Sequence, residues 1–336
     1  MRIVIVGGGL TGLALARLLL AHDLEAVVLE RDPAGAWTPR PFLLPFHGFA
    51  CLRAMGVFDA VHESGWEVAP RPQADPVAIA VAFTTAVGIV AQGVDVQSET
   101  DVVALHRDGD RVCGVRVRDP SGERDIPADL VVACDGIRSA VREMAGIPAD
   151  LRLADGAHLS FMTDTVIDRS FAMEYLSDGR QIGLVGWPQG SAGWWDIDRA
   201  GREAALAPGL DTFTAAFGGL LPPARPALAG LTSIDQLVYR EITEVRCPRW
   251  WTSGAVVIGD AAHFLGPEAG LGAGLGLSDA LALSTSIAAN LDDPDAACTH
   301  YEHWHGPAVR PYEALGAAGV RVGDEPRPPR ERWPPG

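Results

Sequence analysis

Arg2 to Val6 reads RIVIV and runs directly into Gly7-Gly8-Gly9-Leu10-Thr11-Gly12. No other part of the chain restricts the fold as tightly. A β-branched run suits a buried parallel strand. The glycines match G-x-G-x-x-G at Gly7, Gly9 and Gly12, and Leu13 to Ala21 then reads as a helix with Leu10, Ala14 and Leu18 along one stripe. A second strand, Ala26 to Leu29, ends at Glu30, with Arg31 next. Each part has a mechanical reason. Gly7 permits a tight turn, Gly9 lets backbone approach a pyrophosphate, and Gly12 lets the helix lie close on the strand. An acid at the second strand's end accepts hydrogen bonds from a ribose. The pattern predicts a dinucleotide site built from Gly7, Gly9, Leu10, Thr11, Gly12, Glu30 and Arg31.

Two later stretches repeat the combination of strand end, acid and glycine. Leu130 to Ala133 closes on Cys134-Asp135-Gly136 ahead of a helix from Arg138, where Asp135 reads either as a ligand-facing acid or as a helix cap. Ala255 to Ile258 closes on Gly259-Asp260, and a loop with Pro267, Gly270, Gly272 and Gly274 precedes helix-forming residues 277–289. Taken alone, that loop reads equally well as a flexible connection. Closely spaced glycines before a helix also bring backbone N–H groups to a ligand, and a helix start favours negative charge.

Between these stations the period changes. Residues 101–118 alternate with turn signals at Asp108-Gly109 and Ser121-Gly122, as in a small antiparallel meander. Residues 158–167, 171–176, 181–187 and 193–197 read as short strands of an inserted antiparallel sheet. Residues 46–55 read as a helix, 77–91 as an apolar helix candidate whose Val and Thr content leaves a strand open, 204–231 as a proline-broken helical stretch, and 234–243 as a strand. The tail from Val320 is proline-rich and is expected to be disordered. Asp196 and Asp198 flank Ile197 and read as a solvated face.

The chain has 336 residues and a formal charge of -16, from 27 basic and 43 acidic residues. This balance argues against nucleic-acid or anionic-membrane partners and for a small-molecule ligand. All the basic residues are arginine, which excludes lysine Schiff bases and a P-loop. Five scattered cysteines form no CxxC pair, and no apolar run reaches the roughly 18 residues of a membrane span, so a cytoplasmic protein without metal is expected. Nothing in the sequence fixes the oligomeric state.

GGGLTG with Glu30, CDGIRSAVR at 134–142 and GDAAHFLGPEAGLGAG at 259–274 together resemble the FAD-dependent aromatic hydroxylases of the p-hydroxybenzoate hydroxylase type. The resemblance implies an α/β fold: a Rossmann-like FAD-binding domain, whose parallel sheet carries an antiparallel meander crossover, and an inserted antiparallel-sheet substrate domain. Residues 1–150 would form the first part of the FAD-binding domain, 151–244 the substrate domain, 245–319 the return part and 320–336 the tail. It also implies that Gly7, Gly9, Gly12 and Glu30 hold the AMP half of FAD, that Asp135-Gly136 serves FAD and NAD(P)H, that Asp260, after Gly259, binds the ribityl chain or the pyrophosphate, and that the 266–274 loop, with Pro267, Gly270, Leu271, Gly272 and Ala273, lies against the flavin ring. Oxygen would pass through a flavin C4a-hydroperoxide to an aromatic or polyketide-like substrate, with Phe161, Met173, Trp187 and Trp195 among the pocket residues. Ordinary sheet packing is the competing account of those four. His263 would stand near the flavin. Leu271 and Gly274 replace the Gln and Asn usual in the family's flavin loop. A flavin halogenase shares the fold but depends on a lysine that this chain lacks. A non-redox enzyme such as a cyclase, an oxidase or dehydrogenase, and a catalytically inert binding protein are the other readings.

Overall fold

The computed structural model describes residues 1–38, 40, 42–69, 77–168, 171–198, 206–207, 209–266 and 271–317. Pro267, Gly270 and the tail from Val320, all singled out in the sequence, lie outside them.

Strand β1 (Ile3–Val6) is buried at every residue and leads through the glycine turn into α1 (Leu10–Leu20) and on to β2 (Ala26–Leu29). The proline-rich connection ends at β3 (Leu43–Pro45), followed by a 3-10 turn at Phe46–Gly48 and then α2 (Phe49–Ala54). Gly56, at φ 69°, follows that helical stretch and ends it. Helix α3 (Phe58–Glu63) and β4 (Trp66–Val68) come next. Residues 77–91 are not one helix: β5 (Ala78–Ala80) pairs with both β3 and β4, and only α4 (Phe83–Ala91) is helical. The β-sheet claims a short apolar run that periodicity alone cannot assign.

After β6 (Val96–Gln97) come the meander β7 (Asp101–Asp108), β8 (Arg111–Asp119) and β9 (Gly122–Pro127), then β10 (Leu130–Ala133) and α5 (Ala140–Ala145). A second large sheet follows from β11 (Asp150–Thr163), β12 (Phe171–Tyr175), β13 (Gln181–Trp187) and β14 (Gly190–Asp198). Helices α6 (Leu210–Leu220) and α7 (Arg225–Leu228) precede β15 (Val238–Arg246). Residues 234–236, expected as strand, are a 3-10 turn, because Ser233 and Gln236 form a capping box there. The chain ends with β16 (Trp251–Thr252), β17 (Ala255–Val257), β18 (His263–Phe264), α8 (Gly272–Ala289) and α9 (Pro294–Ala317).

The central sheet has the order β16-β17-β10-β1-β2-β6, with β17, β10, β1, β2 and β6 parallel. Its register decides where the site lies. Val6 stands opposite both Leu29 and Ala133, and Ala133 opposite Val257. Four strands therefore release the chain along one edge, at Gly7, Glu30, Cys134 and Ile258. From β2 to β17 that edge measures about 14 Å, at about 4.8 Å per strand.

The second sheet, β12-β13-β14-β11-β15-β18, has two covered faces. Leu159, Phe161, Leu184 and Ile197 pack on Phe213 and Phe217 of α6. Val185, Trp187, Ala192 and Trp194 face Val68, Ala78 and Ala80 of the small β3-β5-β4 sheet. Among the described residues no helix is long and apolar enough to cross a membrane.

Candidate active site

The glycine turn is shaped by what surrounds it. Gly7 has φ 114°, and a Cβ there would lie 2.4 Å from the carbonyl oxygen of Cys134. A Cβ on Gly12 would lie 2.1 Å from the oxygen of Gly7, so only glycine lets α1 sit this close to β1. Gly9 differs: a Cβ there would meet nothing within 4 Å. It also starts α1 with no side chain capping the helix, so the first-turn N–H groups face an open cradle. Glu30 accepts from Gly8 N–H (2.7 Å, Oε2) and from Asp32 N–H (2.9 Å, Oε1). A carboxylate has about four acceptor positions, so about half of them remain. Leu10 is buried in the core and offers only backbone, whereas Arg31 is largely exposed and 4.0 Å from Asp32.

The other two strand ends complete the edge. Asp135 Oδ2 accepts from Val141 N–H at 3.1 Å, and Ser139 provides the formal cap of α5. The capping role is therefore real. Its other oxygen, Oδ1, is buried without a partner among the described residues, and burial raises its carboxyl above the usual range. Gly136 takes φ 84° with open space beside it. Arg142 is almost fully buried and donates to the carbonyls of Ala261 (2.8 Å) and Ile137 (3.1 Å), tying the second station to the third. Gly259 takes φ 61°, with Thr11 packed where its Cβ would be, and Thr11 also abuts Gly276. Burial raises the Asp260 carboxyl, opposed by the positive charge of Arg40. Its Oδ1 lies 3.6 Å from the Cβ position of Gly272, at the start of α8, a helix that likewise has no capping side chain. Ala273 is half-buried against the core and Leu271 is buried.

Behind Gly259 lies a cluster that the sequence did not reveal. Asp279, fully buried on α8, accepts from Gly259 N–H at 2.7 Å. His263 Nε2 lies 2.7 Å from one of its oxygens and His305 Nε2 2.8 Å from the other. Burial opposes the charge on Asp279, but the two imidazoles, His263 foremost, hold its carboxyl below the usual range. His263, whose family-pattern position is near the flavin, is wholly buried against Trp250 and this aspartate.

The four expected pocket residues do not form one wall. Phe161 and Trp195 stack with Phe213 and Phe217 under α6, while Met173 and Trp187 belong to the opposite face. The period of two explains the split, since 161 and 195 share a face that 187 does not. Asp196, read as solvated, is 2 % exposed and lies on the Met173–Trp187 face, 2.8 Å from His158 Nδ1; Asp198 is exposed. Arg40, from the proline-rich connection between β2 and β3, places its guanidinium 3.6 Å from the Phe83 ring centroid. Burial lowers its pKa to about 10, while nearby Asp260 works against that shift.

A family model described as "FAD binding domain" matches residues 1–70 and 87–308. The chain belongs to this FAD-binding family. It is a flavoprotein monooxygenase of the aromatic hydroxylase type. Aurachin C monooxygenase/isomerase of Stigmatella aurantiaca is 25% identical over 89% of this chain and 84% of its own length. Dialkyldecalin synthase of Streptomyces rugosporus is 25% identical over 92% and 70%. PqsL, a probable FAD-dependent monooxygenase from Pseudomonas aeruginosa, shares the fold at TM-score 0.79, with 21% identity and 95% of each chain covered.

The residues present fit FAD. The uncapped helix starts, the open Gly9 cradle, the remaining acceptor positions of Glu30 and the unpartnered Asp135 Oδ1 supply donors and acceptors for a long dinucleotide. Within this flavoprotein family, Gly274 in place of Asn has a steric cause here. A Cβ at 274 would lie 2.6 Å from Pro45 Cγ and 3.1 Å from His47 Cβ, because the turn at 46–48 packs against α8. His47 is held from behind by the Tyr312 hydroxyl at 3.1 Å.

Proposed function

We propose that the protein uses FAD, NAD(P)H and O2 to hydroxylate or epoxidise an aromatic or polyketide-like small molecule in the cytoplasm. One observation carries the reading: the glycine turn, Glu30, Asp135 and Gly259-Asp260 end four in-register strands along one edge of one sheet. Bound FAD would supply the redox chemistry, accepting reducing equivalents from NAD(P)H and delivering one oxygen atom of O2.

The chain's own residues bind and orient. Backbone N–H groups at Gly9 to Gly12 would take the pyrophosphate, and Glu30 the adenosine ribose. Asp260 would take the ribityl hydroxyls, and Asp135-Gly136 would serve the dinucleotides. The first turn of α8, from Leu271 to Ala273, would place N–H groups and the positive helix end where negative charge develops. Residues 1–150 and 245–319 would hold cofactor, and 151–244 would close the substrate side with the Met173–Trp187 face. Five free thiols suit a reducing compartment.

The test is substrate-dependent bleaching. Purified protein should be yellow, and a panel of phenols and polyketides should contain compounds that accelerate NAD(P)H loss. FAD that stays bound and is never reduced would favour the second reading, a non-redox enzyme on this scaffold. Similarity to a protein named as a synthase supports that reading.

A further inference from the structure

The antiparallel sheet carries a polar row on the face that holds Met173 and Trp187. In cross-strand register, Arg240 of β15 stands beside His158 of β11, which stands beside Asp196 of β14. Asp196 is a carboxylate that only accepts, so the 2.8 Å contact fixes the proton on His158 Nδ1 and leaves the lone pair on Nε2. Neither His158 Nε2 nor the Arg240 guanidinium has a hydrogen-bond partner among the described residues. Asp196 Oδ2 is buried without one as well.

The row lies at the cofactor end of this face. Arg40 senses the charges of both Asp260 and Arg240. Gly266, where the flavin loop begins, abuts Ile242, two residues along β15 from Arg240. Trp194 and Met162 continue the same face into the apolar wall. The charged groups around His158 are thus Asp196, Arg240 and, further out, Arg40 with Asp260. Arg180 also senses Asp196.

We propose that His158, oriented by Asp196, takes the proton of an acidic hydroxyl on the substrate, a phenol or enol, and that Arg240 holds the resulting anion. The O–H bond breaks, its electron pair stays on the substrate oxygen, and the proton moves to Nε2. The imidazolium formed is balanced by Asp196. No oxidant takes part. The assignment rests on the substrate binding between cofactor and sheet as proposed above.

The experiment uses FAD-loaded, oxidised protein without NAD(P)H. The probe is 4-nitrophenol, coloured as its anion, with 4-nitroanisole as the control that has no proton to give. Wild type should bind the phenol as its anion at a pH where free probe is partly neutral, and should bind the ether far more weakly. His158→Gln, Asp196→Asn and Arg240→Met should each weaken anion binding roughly ten- to a hundredfold, the range for a lost charge-assisted hydrogen bond. In the first two, the ionisation of bound probe should shift to higher pH, which a merely structural role would not produce. Unchanged colour and affinity in all three variants would overturn the assignment. So would no binding of the phenol by wild type, or equal binding of phenol and ether. Because nothing is oxidised, the outcome is independent of whether oxygen transfer occurs.

Discussion

Asp279→Ala should be the most revealing single change at the back of the site. The carboxylate is fully buried and joins three groups, the imidazoles of His263 and His305 and the N–H of Gly259. Removing one partner of a buried charged network costs about 3–5 kcal/mol, because the remaining polar groups lose their compensation. With an unfolding entropy of about 2.1 cal/mol/K per residue, 336 residues give about 0.7 kcal/mol/K, so Tm should fall by about 4–7 °C. Gly259, held at φ 61° by that hydrogen bond, would also lose its anchor, and FAD retention should fall with it. Asp279→Asn keeps an acceptor for Gly259 but not the charge, so it should lose stability and keep more FAD than Ala does. Acid supplies a further arm. A carboxyl held below its ordinary value of 3.8 contributes stability that is complete above that pH and fades below it. The gap between wild type and Asp279→Asn should therefore hold from neutrality to about pH 4 and narrow beneath it. Calorimetry and FAD content across pH measure both effects. A Tm loss below about 1 °C in Asp279→Ala, or FAD loss equal in Ala and Asn, would refute the reasoning.

Gly9→Val should leave folding nearly unchanged, since space is open there, yet abolish FAD uptake by filling the cradle. Gly12→Ala should instead destabilise by about 1–3 kcal/mol or more, since its Cβ meets a backbone oxygen that cannot step aside; equal phenotypes in a paired thermal and FAD titration would argue against the assigned roles. Arg40→Gln removes the cation that opposes the rise in the Asp260 carboxyl. Its protein should release FAD at a higher pH than wild type during acidification, as read by flavin fluorescence. Phe161→Ala, in the core under α6, should cost about 3–5 kcal/mol of stability, whereas Met173→Ala should chiefly change substrate affinity; chemical denaturation and ligand titration separate the two.

The strand ends were legible because each signal is local. A β-branched run, a glycine that must accept positive φ and an acid at a fixed offset occur within a few residues of each other at β1, β10 and β17. Parallel pairing then had to bring them together, and the register does. What escaped notice depends on contacts distant in sequence. His305 meets Asp279 only because α9 packs on α8, and that helix contains Pro307 and Pro311, which discourage a helical reading. Asp196 looked solvated because alternation shows which residues share a face, not whether that face is covered. The same ambiguity placed Phe161 and Trp195 in a pocket, although α6 covers them. Arg40 sat among prolines with no periodic signal at all. Within 77–91 the strand alternative holds at the start and the helix after it, because Ala78–Ala80 fills the middle of a three-stranded sheet, a pairing decided by β3 and β4 rather than by its own residues.

The central claim is that one FAD lies along the edge where β2, β1, β10 and β17 end. Electron density from crystals grown with FAD tests it most directly. One molecule per chain is predicted, with its ribose on Glu30, its pyrophosphate over Gly9 and its ring system beside the first turn of α8. Density for FAD in any other cleft, or a filled sheet edge that admits no dinucleotide, would contradict it.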